Sequence, residues 1–189
     1  KSNLAVTSVS FPGVYTETIT LDATGSNSSG YSGTLAPETV TITADIIALA
    51  TASAVAPNPI HFGNVHVGGT LTQALTLTNT VPAAGTPEKL DGSIGGATGA
   101  AITNGGSFTG LAAQATNNTS LTVSLPTTTD GVKTGSAIVT LESDGTGVDG
   151  NGITNLPTQT VTATGTVYAL ASPIVSGTTL NFGSVRVGG

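Results

Sequence analysis

Residues 62–69 read Phe62-Gly63-Asn64-Val65-His66-Val67-Gly68-Gly69, and residues 182–189 read Phe182-Gly183-Ser184-Val185-Arg186-Val187-Gly188-Gly189. The offset, from 62 to 182, is 120 residues. A second stretch, Thr39-Val40-Thr41-Ile42-Thr43-Ala44, returns as Thr160-Val161-Thr162-Ala163-Thr164-Gly165 at an offset of 121. The two offsets differ by a single indel. Self-similarity at a fixed period marks an array of like modules. The expected division is a closing half-module over 1–51, a complete module over 52–172 and the opening strand of the next over 173–189.

Composition fixes the class. Of 189 residues 7% are charged, with Lys1, Lys89, Lys133 and Arg186 set against ten acids for a net charge of −6. So few cations leave no electrostatic footprint for nucleic acid. The chain is 38% hydrophobic with a mean hydropathy of +0.27, enough for a packed core and unlike a disordered segment. Trp is absent and there are 36 Thr, 26 Gly and nine Pro, so the core must be of small aliphatics on a pleated, turn-rich all-β chain. Cys and Met are both zero, which removes disulfides, thiolate metal sites and cysteine nucleophiles. That composition suits a long-lived protein outside a bacterial cell. No apolar run is long enough to span a bilayer, and any export signal is expected outside this stretch.

Strands are expected at 4–11, 16–21, 38–49, 60–67, 71–79, 120–125, 135–142 and 159–170, with no helix. In 38–49, Val40, Ile42, Ala44, Ile46 and Ala48 alternate with Thr39, Thr41, Thr43 and Asp45, the period of a half-buried strand. The Gly68-Gly69-Thr70 turn predicts an antiparallel hairpin between 60–67 and 71–79, and 81–114 reads as mostly loop with short strand candidates near Ser93–Ile94 and Ala100–Ile102. Expected core residues are Val40, Ile42, Phe62, Val65, Val67, Val139, Leu141 and Val161. The Pro-containing stretches at 50–59 and 171–177 read as semi-rigid linkers. About seven strands with turns every 8–15 residues describe tandem Ig-like β-sandwiches.

The string from Pro59 to Gly69, with Leu75-Thr76-Leu77-Thr78-Asn79 behind it, resembles the opening of ASH/Hydin-type Ig-like domains, whose bacterial forms are choice-of-anchor D repeats. The resemblance implies a tandem β-sandwich in a large exported surface protein and supplies no active-site residues. It points to a non-enzymatic repeat of a bacterial extracellular polymer, such as an adhesin, biofilm-matrix protein or filament, partnered by copies of itself or adjacent repeats. A glycan-binding or calcium-dependent adhesion module is the alternative from a different class.

Candidate chemistry is sparse. His61 and His66 are five apart, on opposite faces of a regular strand unless a bulge at Gly63-Asn64 brings them together. There is no G-x-S-x-G elbow, and the acids are scattered except near Asp144 and Asp149. Residues 143–152 interleave Asp144, Asp149 and Asn151 with glycines, an oxygen-rich turning loop of the kind hard cations use, so calcium is the one conceivable cofactor. The same residues equally suit a plain Asp/Gly turn. Asn27, Asn117 and Asn118 head Asn-x-Ser/Thr sequons. Leu180, Phe182, Val185 and Val187 are the expected assembly strand, because an opening strand without its module has unpaired backbone and apolar side chains to cover, whether by strand addition to another chain or by continuation of the polypeptide.

Overall fold

The computed structural model describes residues 11–177, 179–181, 183–184 and 186–188. The strands are β1 (Gly13–Leu21), β2 (Thr24–Ser26), β3 (Ser32–Thr34), β4 (Glu38–Ile46), β5 (Ile60–His66), β6 (Thr72–Ala74) and β7 (Leu77–Thr78). They continue as β8 (Lys89–Gly99), β9 (Ile102–Thr103), β10 (Ser107–Leu111), β11 (Thr116–Asn117), β12 (Thr122–Ser124), β13 (Gly131–Asp144) and β14 (Ile153–Tyr168). There is no helix among the described residues. The expected strand at 4–11 lies almost wholly outside them.

Two layers enclose one core. A five-stranded sheet runs β10-β8-β13-β14-β5, antiparallel except that β5 lies parallel to β14. Opposite it stand β6-β12-β9 and the pair β11-β7. Leu90, Ile94, Val139, Leu141, Val161 and Val167 from the first layer meet Leu71, Leu75, Leu77, Leu121, Val123 and Leu125 from the second, all buried. This is an all-β sandwich of the Ig-like kind. Along β14 the inward residues Val161, Ala163, Gly165 and Val167 are buried, while Thr160 and Thr162 are exposed. A Cβ on Gly165 would press on Leu71 and Leu125, so the missing side chain lets the layers close.

Three expectations are corrected. The chain does not turn back at 68–70 as a hairpin: β5 joins the first layer and β6 the second, paired with β12. Both segments carry apolar faces toward the same core from opposite sides, so the turn must cross between layers. Gly68 N–H bonds the Thr127 carbonyl (2.9 Å) there, and Thr127 Oγ1–H bonds that of Gly69 (2.6 Å). The stretch 81–114 holds the eleven-residue β8. Its inward Gly92 is the reason it reads as loop: the Phe108 ring from β10 fills the place of the absent side chain. Residues 50–59 are no free linker. Ala50 and Val55 are core residues, and Ala52 and Ala56 form bridges to Asn79 and Thr76.

Candidate assembly surface

Among the described residues chemistry-bearing side chains do not gather, and two hairpins of like register stand in different surroundings. The hairpin β1–β4 pairs Gly13↔Ile46, Val14↔Asp45, Tyr15↔Ala44 and Thr16↔Thr43. The closing hairpin of the sandwich pairs Gly131↔Val167, Val132↔Thr166, Lys133↔Gly165 and Thr134↔Thr164. Each β4 residue stands 121 before its β14 counterpart, and Gly-Val-x-Thr opens both first strands. The two hairpins therefore share sequence pattern and register. Their surroundings differ, because β13 also pairs with β8 and β14 with β5, whereas among the described residues β1 and β4 pair only with each other. Expected core residue Val40 is accordingly exposed and Ile42 only half-buried. Phe62, Val65 and Val67 are also half-buried, as edge-strand residues packed against the core.

The expected assembly strand makes no strand pairing among its described residues. Leu180 and Val187 are exposed; Phe182 and Val185 lie outside the described residues.

A polar knot ties the chain leaving β4 onto the sandwich. Glu88 N–H bonds the Ala48 carbonyl (2.9 Å), Ala50 N–H bonds Ser143 Oγ (2.6 Å), and Ser143 O–H in turn bonds Glu88 Oε2 (2.7 Å). Thr51 N–H bonds Asn79 Oδ1 (3.2 Å), and Val55 N–H bonds Gln159 Oε1 (2.7 Å). Asn79, Ser143 and Glu88 are buried, Glu88 at 3% exposure, so these bonds are shielded from water. Sequence reading passed over this knot, since a lone Glu, Ser and Asn carry no motif.

The acidic loop spends its oxygens on itself. Asp144 Oδ1 accepts the Thr146 N–H (2.9 Å), and Asp149 accepts the backbone N–H (2.9 Å) and side-chain amide (2.6 Å) of Asn151. Bonds from the Thr146 hydroxyl and N–H hold Asp144 below the ordinary aspartate range. Asp149 is held low first by the Asn151 N–H and then by the Asn151 side-chain amide. No group of three or more His, Cys, Asp or Glu comes together to hold a metal among the described residues. On β5 a bulge with Gly63 at φ +72° puts His61 and His66 both in solvent. His61 Nδ1 lies 3.0 Å from Thr164 Oγ1, and His66 Nδ1–H bonds the Val67 carbonyl at 2.8 Å. Each is occupied on its own.

No family model matches the chain, and no curated protein matches it. Among solved structures the chain is similar to the ASH / PapD-like domain of human CEP192 (PapD-like domain 7), with 11% identity and a TM-score of 0.45 over 65% of this chain and 89% of that one.

Proposed function

We propose that the chain is a non-enzymatic structural segment of a bacterial extracellular surface polymer, an adhesin, biofilm-matrix protein or filament, whose sandwiches follow one another head to tail. The observation that carries the reading is the second closing hairpin. β1–β4 repeats the register of β13–β14 and, among the described residues, has no further strand beside it. A repeated element with unfilled edges is what a linear array of like modules provides, each module contacting its neighbours. The resemblance to choice-of-anchor D repeats and the absence of Cys and Met support an exported, bacterial setting. The polar knot at 48–56 supports stiffness, because it makes the exit from one hairpin part of the next sandwich.

A glycan array, with calorimetry in calcium and in chelator, tests this against an adhesion module. Silence in all three is expected. Binding of a defined sugar, or saturable calcium uptake lost on Asp149→Ala, would replace the structural reading with a ligand-binding one.

A further inference from the structure

We infer that Asn151 is a self-modifying site, whose carboxamide is lost through a cyclic imide formed with the backbone nitrogen of Gly152, leaving aspartate and isoaspartate at that position. The inference stands apart from the structural-array reading. The chain holds two Asn-Gly pairs, Asn104-Gly105 and Asn151-Gly152. In such a pair no Cβ on the second residue hinders its nitrogen from approaching the asparagine side chain. Both asparagines are exposed, and both glycines stand at positive φ, +61° for Gly105 and +81° for Gly152. Sequence, exposure and backbone angle therefore do not separate the two sites. Hydrogen bonds do.

Asn104 is locked. Its Oδ1 accepts the N–H groups of Gly106 (3.1 Å) and Thr122 (3.1 Å), and its Nδ2 donates to the Ser120 carbonyl (2.8 Å). The carboxamide thus ties the loop after β9 to β12, and its Cγ can swing onto the Gly105 nitrogen only when those bonds break. Asn151 is held on one side only, by its Nδ2 donating to Asp149 Oδ2 (2.6 Å), and its Oδ1 takes no donor among the described residues. The nucleophile is free as well. Gly145 N–H bonds the Gly152 carbonyl (2.8 Å), but the Gly145 carbonyl, the natural return partner of the Gly152 N–H, is taken by the N–H groups of Val148 (2.9 Å), Asp149 (3.0 Å) and Gly150 (3.0 Å).

The step balances with water as the sole co-reactant. Hydroxide takes the Gly152 amide proton, the nitrogen attacks Asn151 Cγ, and the Cγ–Nδ2 bond breaks as ammonia leaves with a proton from water. Water then opens the imide. Attack at Cγ gives aspartate, and attack at the backbone carbonyl of residue 151 gives isoaspartate, whose chain runs on through Cβ. Either product sets a carboxylate against Asp149 where a hydrogen bond stood, two like charges face to face. Isoaspartate also lengthens the backbone inside the turn that the Gly145–Gly152 bond closes.

The folded chain, aged in mildly alkaline buffer, tests this by peptide mass spectrometry, with isoaspartate and aspartate peptides separated by chromatography. Each net hydrogen bond is worth a factor of roughly 2–10, and Asn104 has two more to break than Asn151, so residue 151 should convert about tenfold or more faster. Both isomers should form. In denaturant, where those bonds are gone, the two sites should convert at like rates. Asn151→Gln, whose longer side chain disfavours the ring, should stay unmodified. An intact Asn151 in the folded chain while the denatured chain converts overturns the inference. So do equal folded rates at the two sites, or aspartate formed without isoaspartate, which would mean direct hydrolysis with no imide.

Discussion

The hairpins β1–β4 and β13–β14 hold one register in two environments. Val40 and Val161 occupy the same place in each, yet Val40 is 47% exposed and Val161 0%. The intervening threonines face outward in both. Alternation and register are thus written locally, in a period-two pattern and in the glycine that opens each first strand. Burial is supplied by neighbours: β8 on one side, β5 on the other and a second layer above. A strand pair with one apolar face and no layer over it is marginal alone.

The largest test of that difference is a matched truncation. Leu141→Ala, with Leu141 1% exposed, should cost about 2–5 kcal/mol in chemical denaturation. Leu21, which holds the place of buried Val139 in the shared register, is 54% exposed, so Leu21→Ala should stay within about 0.5 kcal/mol. Equal losses would mean the first hairpin is packed after all.

Ser143→Ala comes next. It removes the acceptor of Ala50 N–H and a donor to buried Glu88 together, and should cost about 1–3 kcal/mol. Faster amide exchange at 48–52, with the centre of β13 unchanged, would place the loss at the knot. A loss spread evenly through the sandwich would contradict a local tie.

The smallest effect is in the turns. Asp144 and Asp149 have lowered folded pKa values, so their stabilisation is full above the unfolded value and fades as pH falls through the folded one. Acid should therefore loosen 144–152. The turn after β2 is braced by neutral Asn27, whose Oδ1 accepts the N–H groups of Ser29 and Tyr31, and should not respond. Chemical shifts of Thr146 and Asn151 followed below the ordinary aspartate range, beside those of Ser29 and Tyr31, check this. Parallel movement in both turns would remove the carboxylates as cause.

How much was legible in the sequence follows the same line. Strands with strict alternation, expected at 38–49 and 159–170, declared themselves and their faces, and Gly63-Asn64 offered a bulge only as one of two paths for β5. β8 did so only near Ser93–Ile94, since its inward Gly92 borrows the Phe108 ring from another strand and local pattern cannot see that. The path of β5 was misread because a Gly-Gly turn between apolar runs suits a hairpin and a crossover equally; the core between the layers decides. The polar knot was invisible because its members, residues 50, 88 and 143, meet only in the fold.

The central claim is that, among the described residues, β4 is a sheet strand without the second neighbour that β5 gives β14. Residue-resolved amide exchange on the dilute, monomeric 189-residue chain tests it most directly. The account predicts continuous protection along the centre of β14, bonded on both sides, and protection at only alternate amides of β4. Continuous protection along β4 in the monomer, equal to that of β14, would contradict it.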